Sequence, residues 1–249
     1  MTFIYNTPIN LNIPKIAFRS NSAVTMPAGV PSKDSFSTNP LYEKFGTKAE
    51  IEMRAKSNPR IRELLDEYNL PVNVNADELE ALKSGHLKDT RIVAAQIYSS
   101  LPQEMKNKVN LSELQQAAML HDYGKVLVPT SVLNKTGKLT DKEREIMQLH
   151  SEIGYELLKN KGLSENTLNL VKYHHQTPDG NGYPSVGAEY SYGIDSQILN
   201  VADKYAALRE KRSYKDAMSK EEALNIIKED VENGLISEEV YNALVKAVH

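Results

Sequence analysis

Near the middle of the chain, His121 and Asp122 set a borderline nitrogen donor beside a hard carboxylate, a pairing suited to a divalent transition metal. A carboxylate has two oxygens, so Asp122 is able to bridge two ions. Lys125, one short turn later, puts a cation where a metal-bound phosphate needs its charge neutralised. The pair alone decides little, because a His-Asp step at a helix end is usually just a cap or an ion pair. Its company carries more weight. Six histidines are present, and only terminal His249 falls outside the helical region. His86 and His150 sit on apolar faces, and His174 and His175 stand together at a helix end. One such histidine is ordinarily hydrogen-bonded to backbone. Burying all of them with Asp122 and Asp203 would cost on the order of several kcal/mol per unpaired group. Metal ions remove that cost by coordinating the nitrogens and offsetting the carboxylates, and helices that supply inward-facing His and Asp to a bundle core build dinuclear sites in this way.

Placing these groups together is work for helices. From Asn75 a helix is expected to run to about Ser99, with Leu79, Leu82, His86, Thr90, Val93 and Ile97 recurring three and four apart. A second, capped near Ser112, carries Leu114, Ala117, Ala118 and then the His121-Asp122 pair, after which the chain turns sharply at Gly124. A third starts at Thr140 with Glu143 completing a capping box, and its inward face holds Ile146, Leu149, His150, Ile153 and Leu157. The next, capped near Ser164, uses Leu168, Leu170 and Val171 and ends in His174-His175. Ile194 to Leu208 forms another, containing Asp203. Two last helices, about Lys220–Glu232 and Ser237–Val248, are parted by Asn233-Gly234, a helix stop. Upstream, Pro59 to Tyr68 reads as a short helix with proline in its first turn. Strand signals are nearly absent, so the class is all-α.

Composition narrows the function. At 249 residues and 40% hydrophobic content the chain builds a real core. A formal charge of −3 provides no overall basic field for a long nucleic acid, so no nucleic acid polymer is expected as a partner. Cysteine is absent, which excludes disulfides and thiolate ligands and leaves His, Asp and Glu for any metal. No window approaches a membrane span, and Lys15 and Arg19 interrupt any signal-like core. A soluble, cytoplasmic protein without membrane attachment is the expectation. Residues 1–40, rich in Asn, Ser, Thr and Pro, read as a disordered polar tail, with an extended segment around Ile9 to Ile13 able to dock. Residues 41–74 follow as short N-terminal helices, 75–218 as the catalytic domain and 219–249 as a C-terminal helical pair.

The ordered run His121-Asp122-Tyr123-Gly124-Lys125, Asn134 to Thr140, His150, His174-His175-Gln176-Thr177-Pro178-Asp179-Gly180-Asn181-Gly182-Tyr183-Pro184, Val201-Ala202-Asp203 and Arg212-Ser213-Tyr214-Lys215 resembles the HD-GYP family of the HD phosphohydrolase superfamily. The likeness spans about Leu79 to Ala217, and its D-G-x-G-Y-P segment is far more specific than the H-D pair. It implies an HD-domain helical bundle with a dinuclear metal site in its core, holding divalent iron or manganese. The implied activity is hydrolysis of cyclic di-GMP to pGpG or GMP by attack of a metal-activated hydroxide. By that resemblance the ligands are His86, His121, Asp122, His150, His174, His175 and Asp203, with Asp122 bridging. Lys125, Arg212 and Lys215 match residues near the substrate phosphates, and Gly182, Tyr183 and Pro184 match the signature loop. Some members hold a third metal through carboxylates at the positions of Leu82 and Ala206; both are apolar here, so two metals are expected. Gln176 and Gln197, which also depart from the common pattern, are expected to be peripheral.

Gly180 and Gly182 let the Asp179–Pro184 loop approach a ligand closely. Tyr183 is placed either to stack on a guanine or to hold the loop by packing. Two alternatives stand beside the diesterase: an HD phosphohydrolase acting on another cyclic dinucleotide or nucleotide, and a silent module that senses the nucleotide or docks a partner. Loss of a ligand would favour the silent module, and none of the seven core ligands is missing. The tail is too short and polar for the sensory domain often fused to relatives. Control is therefore expected from expression, metal supply, or a protein partner held by the tail or the last two helices.

Overall fold

The computed structural model describes residues 45–82, 85–187, 190–210 and 217–249. The tail at 1–40, its possible docked segment, and Arg212 and Lys215 lie outside them. Among the described residues the structure is helical and has no strand, only an isolated antiparallel bridge between His175 and Tyr183. The all-α expectation holds.

The chain opens with α1 (Lys48–Ser57) and α2 (Pro59–Asp66). Thr47 and Glu50 cap α1 reciprocally, and Asn58 caps α2 with Pro59 in its first turn. Ahead of α1, Phe45 packs edge-on against Tyr123 with ring centroids 5.0 Å apart. Arg54 of α1 donates to the carbonyls of Phe45 and Leu157 and to the Tyr123 hydroxyl at 2.8–2.9 Å. These contacts fix the residue beside Asp122.

The single helix expected from Asn75 to Ser99 is two. α3 (Ala76–Ala81) ends at Leu82, and α4 (His86–Ser100) begins after Gly85. Gly85, the residue from which α4 starts, has φ +66°, a state that costs a residue with a Cβ. The apolar face survives the break, since Leu79, Leu82, Thr90, Val93 and Ile97 remain buried. His86 becomes the first residue of its helix instead of an interior one.

Short α5 (Gln103–Lys106), which the periodicity does not reveal, leads to α6 (Leu111–Leu120). Its cap is Asn110, not Ser112: the Asn110 side chain accepts from the amides of Ser112 and Glu113. The turn at Gly124 is a 3-10 helix, Tyr123–Leu127, followed by α7 (Thr130–Leu133). α8 (Asp141–Leu158) starts at the expected Thr140/Glu143 capping box, and α9 (Glu165–Tyr173) is capped by Ser164. α10 (Ile194–Arg209), α11 (Lys220–Glu232) and α12 (Glu238–Val248) complete the described chain. α4 lies at the centre of the bundle, against α6, α10 and α12, and α8 packs on the 3-10 helix and α9. One large apolar core joins these elements, with a small satellite of Val128, Val132 and Ile146.

Candidate metal centre

Helix ends deliver most of the polar groups. His121 closes α6 and Asp122 follows it; His174 closes α9 and His175 follows; His86 opens α4; His150 and Asp203 come from the interiors of α8 and α10. Gly124 makes the assembly possible. A Cβ there would lie 1.9 Å from the His150 carbonyl oxygen and 2.6 Å from the Gly154 nitrogen, so only glycine lets the 3-10 helix seat on α8 with Asp122 facing His150.

The ligand-type atoms form two groups: Asp122, His150, His174 and His175 in one, His86, His121 and Asp203 in the other, with the atoms of each within 4.8 Å of one another. Asp122 touches both. Its Oδ1 is 3.5 Å from His150 Nε2 and 3.9 Å from His174 Nε2. Its Oδ2 is 3.5 Å from His121 Nε2 and 3.9 Å from His86 Nε2. Asp203 Oδ1 closes the second group, 2.9 Å from His86 Nε2 and 3.3 Å from His121 Nε2.

The histidines are oriented from behind. Nδ1 of His121, His150 and His174 donates to the carbonyls of Ala118, Met147 and Val171 at 3.0, 2.7 and 2.7 Å. A carbonyl only accepts, so each ring carries a proton on Nδ1, and the His150 and His174 rings, which burial keeps neutral, present the Nε2 lone pair to the centre. His150 Nε2 and His174 Nε2 then face each other at 3.2 Å. His121 Nε2 is buried with no properly directed hydrogen bond, as is His86 Nδ1. Converging lone pairs, two carboxylates and orphaned nitrogens are the donor set of divalent cations, and the residues fit such a group.

Electrostatics agree with that fit. Burial pushes His150 down to about 3 and His175 to about 4, and holds His174 well below its ordinary range, leaving neutral imidazoles as ligands require. Burial opposes ionisation of Asp122, yet Lys125, His121 and His150 hold its carboxyl well below the usual range. Asp203 is likewise held down against burial by His121 and His86. His121 is raised, because Asp122 and Asp203 outweigh its burial; two carboxylates facing one imidazole attract a cation.

Lys125 reaches this centre directly, its Nζ 2.6 Å from Asp122 Oδ2. The signature loop packs on His175 backbone to backbone. A Cβ on Gly182 would meet the His175 carbonyl oxygen at 2.2 Å and Gln176 Cα at 2.5 Å. Tyr183 N donates to the His175 carbonyl at 3.3 Å, and the Tyr183 ring stacks on the His175 ring with centroids 4.6 Å apart. Pro184 follows through a cis peptide bond. Gln176 is not peripheral: it is fully buried, and its Nε2 donates to the Pro184 carbonyl at 2.6 Å. Gln197 also has a task, accepting from the Ser237 amide at 2.8 Å and so tying α10 to the start of α12. Sequence reasoning passed over Asn200, whose side chain donates to the His174 carbonyl at 3.2 Å; its place one turn before Asp203 was the available signal. Leu82 and Ala206 are both buried.

Comparison with known proteins places these features in context. The HD domain model matches residues 73–240. The cyclic di-GMP phosphodiesterase response regulator RpfG of Xanthomonas campestris pv. campestris is 40% identical over 114 residues, covering 45% of this chain and 30% of that protein. The 3'3'-cGAMP-specific phosphodiesterase 2 of Vibrio cholerae is 40% identical over 111 residues, covering 44% of this chain and 21% of that protein. The chain thus spans less than a third of the length of these curated relatives. Among solved structures, Bd1817, an HDG"Y"P protein from Bdellovibrio bacteriovorus, shares the fold with a TM-score of 0.53 at 17% identity, over 87% of this chain and 67% of that one.

Proposed function

This chain belongs to the HD domain family, and from that premise we propose that it is a metal-dependent phosphodiesterase hydrolysing cyclic di-GMP to pGpG or GMP. The observation that carries the reading is Asp122, whose two oxygens face two separate groups of nitrogen and carboxylate donors. In this reading His150, His174 and His175 hold one divalent cation, His86, His121 and Asp203 hold the other, and Asp122 joins them; iron or manganese suits the mixed imidazole and carboxylate set. Such a pair, when bound, supplies an activated water and polarises a phosphoryl oxygen.

The chain's own residues do the rest. The carbonyls behind His121, His150 and His174 fix a proton on each Nδ1 and aim each Nε2 inward. Lys125 offsets charge on Asp122 and stands ready to neutralise a phosphate placed beside it. Arg212 and Lys215 are proposed to contact the other phosphate. Gly182, Tyr183 and Pro184 wall the centre next to His175 and orient the dinucleotide. A cytoplasmic location accompanies this substrate class. No helix among the described residues is long and apolar enough to cross a membrane.

A second reading, hydrolysis of a different cyclic dinucleotide, is favoured by the equal identity to a relative named for 3'3'-cGAMP. One experiment addresses both. Metal-stripped protein is reloaded anaerobically with iron or manganese and offered cyclic di-GMP and 3'3'-cGAMP separately, with Asp122→Ala as control. Cyclic di-GMP cleavage that requires metal and disappears in the control supports the proposal. Cleavage of 3'3'-cGAMP alone supports the second reading. A preparation holding two metals that leaves cyclic di-GMP intact overturns the first.

A further inference from the structure

His86 is held differently from the histidines around it. His121, His150 and His174 each donate Nδ1 to a carbonyl three residues earlier. His86 opens α4 directly after Gly85. Its Nδ1 is buried and finds no hydrogen-bond partner among the described residues. Facing that atom at 4.0 Å is Oε2 of Glu210, the residue where the chain leaves α10.

We propose that Glu210 is the positioning residue of His86, accepting its Nδ1 proton and so presenting Nε2 to the cation shared with His121 and Asp203. The inference rests on the metal-centre reading above and deepens it. His86 Nε2 lies 2.9 Å from Asp203 Oδ1, within the group of donors that would hold the cation. A metal ligand needs that nitrogen bare, so the ring must carry its proton on Nδ1, where Glu210 is the facing acceptor. Moving from 4.0 Å to the about 2.7–3.2 Å of an N–H to oxygen bond takes a rotation of a half-exposed side chain. A carboxylate behind a ligating imidazole fixes its tautomer and orientation and raises its basicity, and removing such a partner typically weakens metal binding by about 10–100-fold. His121, His150 and His174 already have such an acceptor in a backbone carbonyl.

The test is equilibrium binding of Mn2+ to the metal-stripped full chain by chelator competition, in wild type, Glu210→Ala and Glu210→Gln, with melting temperatures of the stripped proteins measured in parallel. The inference expects wild type to bind two ions. Glu210→Ala should bind one unchanged and the other about 10–100-fold more weakly. Glu210→Gln, which keeps an acceptor oxygen, should recover much of that loss, and the stripped proteins should melt together. Unchanged affinity for both ions in Glu210→Ala overturns the proposal. So does equal weakening at both ions with a lowered melting temperature, which assigns Glu210 only a structural part. Wild type that binds no pair of ions overturns the metal-centre reading itself, and with it this inference; that result is recognisable without any variant.

Discussion

His150 Nε2 and His174 Nε2 face each other across 3.2 Å while both Nδ1 atoms are committed to backbone carbonyls. Two lone pairs held at that distance repel unless a cation or a proton lies between them, and burial disfavours protonation of both rings. The folded chain therefore carries an electrostatic cost that a divalent ion relieves. Adding Mn2+ to stripped protein at about 100 times its dissociation constant should stabilise the fold by about 2.7 kcal/mol, and excess chelator should reverse the gain. Urea denaturation with and without the ion checks this; coincident curves would contradict it.

The approach of the 3-10 helix to α8 gives a second expectation. Gly124→Ala would place a methyl 1.9 Å from the His150 carbonyl oxygen, against backbone that has no room to yield, whereas a Cβ on Gly154 meets nothing closer than 3.2 Å. Gly124→Ala should cost about 2 kcal/mol or more and lower the retained metal, because the displaced segment carries Asp122. Gly154→Ala should be the milder change. Denaturation midpoints and metal analysis of both variants decide it.

How far these features are legible from sequence depends on whether they announce themselves locally. Helices α8 and α9 do, because Thr140 with Glu143 and Ser164 sit just before an apolar period of 3.6. His150 is readable for the same reason, since it occupies a position where that period demands an apolar residue. The break at Gly85 is not, because a lone glycine inside a helical pattern is compatible with continuation, and its positive φ belongs to the folded backbone. Gln176 was misjudged because its partner, the Pro184 carbonyl, is brought to it only by the loop folding back on His175. Glu210 was invisible for a related reason: its relation to His86 spans the bundle and follows from the helix break.

Lys204 follows Asp203 directly and forms a mostly buried ion pair with Asp230 of α11, joining the helix that carries Asp203 to its neighbour. Burial lowers the lysine and raises the aspartate, each opposed by its partner. Asp230→Ala would remove the carboxylate that opposes burial of the Lys204 ammonium and should cost about 3 kcal/mol. Replacing both residues together, as Lys204→Met with Asp230→Leu, should restore much of that stability. Chemical denaturation of the single and double variants tests this; a double variant no better than the single would show that the pair acts through more than its charges.

Glu143 supplies the pH expectation. Its carboxyl is pulled down to about 2, first by the hydrogen bond from Lys135 and then by the Thr140 amide of its capping box. The ordinary value is 4.5, so between those limits the unfolded chain binds a proton that the folded chain refuses. The contribution is fully present above about 4.5 and is lost as pH falls toward 2. The group is partly exposed, so the effect on global stability is small and belongs to the first turn of α8. Carboxyl titration by NMR should place Glu143 near 2 in wild type and closer to its ordinary value in Lys135→Ala.

Tyr183 stacks one face on His175, with ring centroids 4.6 Å apart, and lies edge-on to His150 at 6.2 Å. That arrangement favours the loop-holding role over guanine stacking on the same face, because the face is already covered by a ligand-type imidazole. If packing is what matters, Tyr183→Phe should keep metal content and turnover close to wild type, since the ring survives and only the hydroxyl is lost. Tyr183→Ala should free His175 to rotate and weaken the ion held with Asp122, His150 and His174 by about 10-fold, the low end for losing a group that orients a ligand. Turnover should fall with occupancy and recover at high metal concentration. A Tyr183→Ala enzyme whose metal affinity is intact but whose KM for the dinucleotide rises would place the ring on the substrate instead.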